Sequence, residues 1–355
     1  MKLYFYISGH GFGHISRSGN IIQRLLKENF IEEIHLVSTR ISFLDFTHPK
    51  LKLRNLKLDV GVSQKNSLSI DLQTTKAELI DFEKKKTELL KEETEYCKKN
   101  KINLIVTDSS SFPITIALEV GIPSVFIGNF TWDFIYKNYA KDDSYFGDLS
   151  ERLEVEYSFA TEALILPFFC PMPPFLESTQ IGLVGRKPTL SKQEARQKFG
   201  FRDDTTYILL SFGAYGLEGT KLQTENLSNS TKLVAYGVPG IQTEGILVPE
   251  VSHYPDLVAA ADYVCTKPGY GILAECYYAK TPILYTDRGD FIEYIHLVNA
   301  LDLYFRSAYI DLPRIISCQF NEVMTLINTI DGMTPKLELK TDGEEDVVSH
   351  LLEYN

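Results

Sequence analysis

The sequence is poor in sulfur and in positive charge. Its 355 residues hold five cysteines, at 97, 170, 265, 276 and 318, with no C-x-x-C pair among them. An odd, scattered set excludes a disulfide framework and the usual zinc spacings, and reads as reduced thiols. Lys and Arg number 36 against 47 Asp and Glu, for a net charge of −11. General charge-driven binding to nucleic acid or to an anionic membrane is therefore excluded. No run approaches the ~18 apolar residues of a membrane span. The N-terminus enters a short strand directly, without the basic stretch and long apolar core of a secretory signal. The expected location is cytoplasmic, with a peripheral membrane contact left open. No D-x-D motif stands at a strand end, and the pairs Asp142-Asp143 and Asp203-Asp204 read as solvated turns, so no metal site is expected.

What is present is an ordinary apolar content of 44%, enough to bury sizeable cores. Short apolar strands alternate with helical segments in both halves. Strands are predicted at 3–7, 33–38, 50–58, 104–108 and 123–128, with helices at 16–28, 71–99 and 113–120. Residues 163–175 bring four prolines within a few positions, a stiff extended connector. The pattern then restarts, with strands at 206–212, 231–236, 245–248, 263–265 and 282–285 and helices at 254–260, 271–279 and 293–301. Strands alternating with helices predict an α/β protein with parallel, doubly wound sheets. The expected organisation is two Rossmann-like domains facing a cleft: 1–170, a proline-rich linker over 171–185, and 186–355.

Two glycine turns carry the chemistry. The first is Ser8-Gly9-His10-Gly11-Phe12-Gly13-His14, between the first strand and the first helix. Its glycines allow a sharp turn and close approach of another molecule. It departs from the G-x-G-x-x-G dinucleotide fingerprint, and the second strand ends Ser38-Thr39-Arg40 without an acid, so a nicotinamide enzyme is disfavoured. His14, at the helix start, is the candidate general base. The second turn is Lys267-Pro-Gly-Tyr-Gly271, after a strand and before a helix. Unpaired N–H groups at such a helix start favour a phosphate, Lys267 adds positive charge, and Glu275 one turn on can accept bonds from a ribose diol. Asp108, ending a strand before Ser109-Ser110-Ser111, is an alternative base or simply a turn residue. Trp132 and Asp133 either meet a sugar ring or plug the core, with an acceptor contact preferred. The Lys/Glu-rich stretch 76–100 reads as a solvated helix.

These residues resemble the GT-B glycosyltransferases. The alternating-glycine loop ending in His, and the later Lys-x-Gly…Glu element, look like those of the peptidoglycan N-acetylglucosaminyltransferase group. Closer still is a resemblance to the glycosyltransferase-like N-terminal region of the L-arabinokinases. Ser8 to Arg17 matches their T/S-G-H-G-F-G-H-x-x-R opening. Lys267 to Glu275 matches K-x-G-Y-G-x-x-x-E, and Arg288, Asp290, Phe291 and Glu293 match a following R-x-D-Y/F-x-E with one residue inserted. The sugar-kinase domain of that family has no counterpart here, so kinase activity is not expected.

The resemblance implies an inverting, metal-independent glycosyltransferase of the hexosyltransferase type. It would move a sugar from a nucleotide-diphospho-sugar, UDP-linked, to an unknown acceptor hydroxyl on a glycan, a lipid-linked sugar or a small molecule. No cofactor is implied, the nucleotide sugar being a substrate. Catalytic roles fall to His14, with His10 and Asp108 beside it. Donor binding falls to Gly11, Gly13, Gly213, Gly216, Lys267, Gly269, Tyr270, Gly271, Glu275, Asp290, Phe291 and Glu293, and acceptor binding to Arg17, Trp132 and Asp133. Two other readings stay open: a UDP-sugar epimerase of GT-B fold, using Asp108 and Glu293 as acid and base, and a non-catalytic nucleotide-sugar sensor.

Overall fold

The first strand decides how the first sheet is built. In β1 (Lys2–Ile7), Leu3, Phe5 and Ile7 enter one apolar core, with Ile21, Leu25 and Leu36. Tyr4 and Tyr6 enter another, with Phe112, Ile116 and Leu58. Both faces of the strand are covered, which is the condition of a central strand in a parallel sheet. A computed structural model of the protein, describing residues 1–66, 69–213, 221–238, 241–242, 244–329 and 335–355, bears out the α/β class.

The strands are β1, β2 (Glu33–Val37), β3 (Leu51–Arg54), β4 (Gln64–Asn66), β5 (Ser69–Ile70), β6 (Leu104–Asp108), β7 (Ser124–Gly128), β8 (Glu162–Ile165), β9 (Ser178–Gln180), β10 (Thr206–Ser211), β11 (Thr231–Ala235), β12 (Ile246–Leu247), β13 (Tyr263–Thr266), β14 (Ile283–Tyr285) and β15 (Ser307–Tyr309). Among the described residues they form a seven-stranded sheet in the order β3-β2-β1-β6-β7-β8-β9 and a six-stranded sheet in the order β12-β11-β10-β13-β14-β15. All pairings within these two sheets are parallel. The pair β4 and β5 forms a separate antiparallel hairpin. In each sheet the order reverses beside a central strand, β1 in one and β10 in the other. Ligands of open parallel sheets bind at the carboxyl ends of the strands at such reversals.

The chain divides into two units. The first comprises 1–63, 71–184 and 339–355, and the second 64–70 and 185–338. This differs from the expected organisation at three places: residues 64–70, expected in the first domain, fall in the second unit, and two further stretches join the first. The stretch 171–184, expected as part of a free linker, belongs to the first unit: Cys170 N–H donates to Asn129 C=O, and β9 pairs in parallel with β8. Residues 339–355, expected in the second domain, also belong to the first. Helix Gly343–Leu352 buries Val347, Val348 and Leu351 in the same core as Leu3, Ile21 and Leu25, and Arg24 grips Glu345 through Nε and Nη2 at 2.6 and 2.8 Å. Gly182 lets this return segment lie flat on the chain: a Cβ there would meet Thr341 C=O at 2.5 Å. All five cysteines are buried and none is in a disulfide. Among the described residues no helix is long and apolar enough to cross a membrane.

Candidate active site

The first helix spans Phe12–Leu25 and starts four residues earlier than its apolar pattern suggested. Gly11 precedes it at φ +79°, a backbone region that side chains resist. The early start places His14, Arg17 and Ser18 at i, i+3 and i+4, on one helical face. That face meets Asp108, the last residue of β6, adjacent to β1.

Asp108 is fully buried and surrounded by donors. His14 Nδ1 lies 2.8 Å from Oδ1, Arg17 Nη2 donates to Oδ1 at 2.6 Å, and Ser109 Oγ donates to Oδ1 at 3.0 Å. Ser18 Oγ donates to Oδ2. Burial opposes ionisation of this carboxyl. The charge of Arg17, with His14 and the hydrogen bonds, overrides it and holds the group well below the usual carboxylate range. An ionised carboxylate only accepts, so Nδ1 of His14 carries the proton in this hydrogen bond, and Nε2 is the ring nitrogen that Asp108 does not engage. Asp108, expected as an alternative base, has both oxygens occupied by four side-chain donors.

Arg17, expected at the acceptor, turns inward as well. Its second amino group donates to Asn129 Oδ1, whose amide donates on to Pro167 C=O. Trp132 and Asp133 are likewise interior, 4% and 2% exposed. The Trp132 ring packs edge-on to His10 and Phe130, and stacks on Tyr136. Burial lifts the Asp133 carboxyl to about 6. His10 lies against Gly61, where a Cβ would come within 2.2 Å of its Nδ1. A pocket of about 30 Å³ beside Trp132 is lined by Asp59, Ser110, Phe112 and Tyr136. This gives room for about two waters. Gly13 has open space where a Cβ would point, so the protein itself does not require glycine there.

In the second unit, helix Tyr270–Ala279 follows β13 through Lys267, Pro268 and Gly269. Gly269 is its N-cap, with no side-chain cap, no acid in the first turn and nothing within 4 Å of an added Cβ. Tyr270 and Gly271 are the first two helical residues. Glu275 is buried and receives Arg186 Nε at 2.8 Å and Nη2 at 2.5 Å, both on Oε1. Burial raises the Glu275 carboxyl, with Arg186 working against the rise. Arg186 escaped the sequence reading. Its position depends on Gly185, where a Cβ would come within 2.6 Å of Ala274 Cβ, so the chain runs flush along the helix. Gly213 follows β10 at φ +70°. Gly216 lies outside the described residues.

Beyond β14, Phe291 and Glu293 are buried and Asp290 is exposed. Phe291, expected to touch the donor, instead carries Arg288, whose guanidinium sits 4.8 Å over the ring centroid. Lys267 is lowered to about 8, by burial first and then by the positive charge of Arg288, with Glu293 opposing. Among the described residues no three His, Cys, Asp or Glu side chains gather as a metal set.

Two parallel α/β units of this kind make up the GT-B fold, the fold of a large class of glycosyltransferases. A structure of UDP-glucose: anthocyanidin 3-O-glucosyltransferase in complex with UDP matches 99% of this chain and 93% of its own at a TM-score of 0.65 and 10% identity. The glycosyltransferase SnogD from Streptomyces nogalater matches over the whole of both chains at a TM-score of 0.61 and 13% identity. In sequence, the chain is 28% identical over 308 residues to the L-arabinokinase of Arabidopsis thaliana, covering 84% of this chain and 29% of that protein. It thus spans under a third of that relative's length. No protein-family model matches the chain.

Proposed function

We propose that the protein is a glycosyltransferase that moves a sugar from a nucleotide-diphospho-sugar to an acceptor hydroxyl. The observation that carries this reading is the His14–Asp108 pair, buried at the carboxyl edge of β1 and β6, in which Asp108 engages Nδ1 and not Nε2. The similar fold, shared with known glycosyltransferases, supports it. The nucleotide is read as UDP, which is bound in one of those neighbours.

In this mechanism His14 Nε2 takes the proton of the acceptor hydroxyl as its oxygen attacks the anomeric carbon. The bond from that carbon to the diphosphate oxygen breaks, and the diphosphate leaves with the electron pair. A single displacement inverts the anomeric carbon. Charge developing on the leaving group meets the uncapped start of helix Tyr270–Ala279 and the ammonium of Lys267, prealigned donors of the kind that stabilise a transition state without reorganisation. The step draws on no metal and no resident cofactor. Glu275, held by Arg186, would take the ribose. Asp108 acts through His14: it fixes the tautomer and stabilises the imidazolium that forms.

An epimerase that uses Asp108 as an acid or base is not favoured, because its two oxygens already accept from four side chains. The test is thermal stabilisation by UDP, GDP and their sugar conjugates. UDP should stabilise the intact protein, and Glu275→Ala should remove the effect. Absence of stabilisation by every nucleotide would overturn the reading.

A further inference from the structure

In the second unit, in the segment that follows β14, four buried polar atoms have no hydrogen-bond partner. They are Nε and Nη1 of Arg288, Oε2 of Glu293 and Oγ1 of Thr286. The three residues follow β14 within eight positions. Thr286 N–H donates to Thr266 C=O at the end of neighbouring β13, so this cluster and Lys267 share one end of the sheet. Thr286 is 1% exposed and Glu293 5%. The contact between Arg288 Nη2 and Glu293 Oε1 is long, at 3.5 Å.

Leaving a buried guanidinium N–H without an acceptor costs the desolvation of that group. Phe291 nevertheless holds Arg288 in place through its ring, and the side chain is only 14% exposed. Glu293 touches it at one nitrogen, so two of its nitrogens still lack an acceptor. A guanidinium held in this way is complementary to an oxygen anion that arrives with a ligand. The Glu293 charge already opposes the Arg288 charge, so the demand is for acceptor oxygens in the right place and not merely for negative charge.

We propose that Arg288 is a donor-binding residue that takes an anionic oxygen of the nucleotide sugar. That oxygen belongs either to the diphosphate or to a carboxylate on the transferred sugar. The proposal rests on the donor-site reading above and adds to it a second cation at the same end of the sheet as Lys267. Lys267 and the helix Tyr270–Ala279 would hold one part of the anion, and Arg288 another. Burial lowers Lys267 first and Arg288 adds to it, and an anion bound by both cations would relieve that repulsion.

The experiment is calorimetric titration of the intact protein, of Arg288→Ala and Arg288→Gln, and of Glu275→Ala. The probes are UDP, UDP-glucose and UDP-glucuronate. Loss of about tenfold to a hundredfold in affinity for all three probes in both Arg288 variants assigns the anion to the diphosphate. The same loss confined to UDP-glucuronate assigns it to a sugar carboxylate. Unchanged affinities in the Arg288 variants, with UDP binding lost in Glu275→Ala, overturn the proposal and leave the donor site standing; Arg288 is then satisfied by water. Failure of UDP to bind the intact protein overturns both. Unfolding curves of the two variants without ligand should match that of the intact protein. A variant that fails to fold is set aside for the other.

Discussion

Asp108 in the first unit has four side-chain donors around its two oxygens, and Glu293 in the second has one contact at 3.5 Å. Both carboxylates are buried beside an arginine, yet Asp108 accepts from four side chains while Oε2 of Glu293 accepts from none; Nε of Arg17 and Nε and Nη1 of Arg288 each lack an acceptor. Asp108 draws on residues of the first helix and of its own turn, all fixed by the chain. Around Arg288 the polar atoms outnumber their partners. A site that holds a catalytic base needs its geometry set before substrate arrives, because a misplaced proton acceptor costs rate. A site that grips a leaving diphosphate can gain its last hydrogen bonds from the ligand itself. In the proposed mechanism the first unit thus holds a carboxylate already supplied with donors, and the second a pair of cations that a ligand would complete.

The sharpest way to break this comparison is to remove the base. His14→Ala should lower transfer by about 10²–10⁴-fold, with UDP affinity unchanged in a titration. An equal loss of nucleotide binding would move His14 into the donor site. Next comes the Asp108 network itself. Asp108→Ala leaves Arg17 and His14 buried without their counter-charge and should cost about 3–5 kcal/mol in urea unfolding. The pH dependence follows from the depressed Asp108 carboxyl. Its contribution to stability is fully present above the ordinary carboxylate value, near pH 4, and is lost as pH falls further toward its folded-state value. A variant unfolding like the intact protein would mean that the network is decoration.

Leu351→Ala tests whether the first unit depends on the returning helix. A fully buried leucine cut to alanine should cost about 2–5 kcal/mol, and the loss should be independent of added UDP. The smallest expected effect concerns the open side. Lys267 is lowered to about 8, and a bound anion favours its charged form. UDP affinity should therefore fall as pH rises above 8, by up to about tenfold per pH unit, until the value for the complex is reached. A flat profile from pH 7 to 10, measured by titration, would remove Lys267 from the anion site.

The alternation of strands and helices was legible because each periodic segment carries its own signal. So were the two glycine turns, since a glycine loop between a strand and a helix is written in consecutive residues. The pairing of His14 with Asp108 was not, because 94 positions separate them and only the sheet order brings β1 beside β6. One clue did exist: His14, Arg17 and Ser18 share a helical face once the helix starts at Phe12. Read from residue 16, that face is incomplete, and Arg17 appears available to a substrate. Arg186 left no local signal at all, because its role depends on how closely Gly185 approaches Ala274. Trp132 left two readings open, a sugar contact or a core plug, for a related reason. A lone tryptophan after a strand fits a binding surface or a core equally well, and the rings of Phe130 and Tyr136 decide for the core.

The return of residues 339–355 to the first unit has a consequence for synthesis. The sheet that carries His14 is made early, but the helix that covers Ile21, Ile22 and Leu25 emerges only after the whole of 185–338. Until then a strip of apolar surface on the first helix stays open to solvent and to passing chains. Domains of most proteins can close in the order in which they are translated. Here the first to be started is the last to be sealed, and the nascent chain would need shelter for that interval.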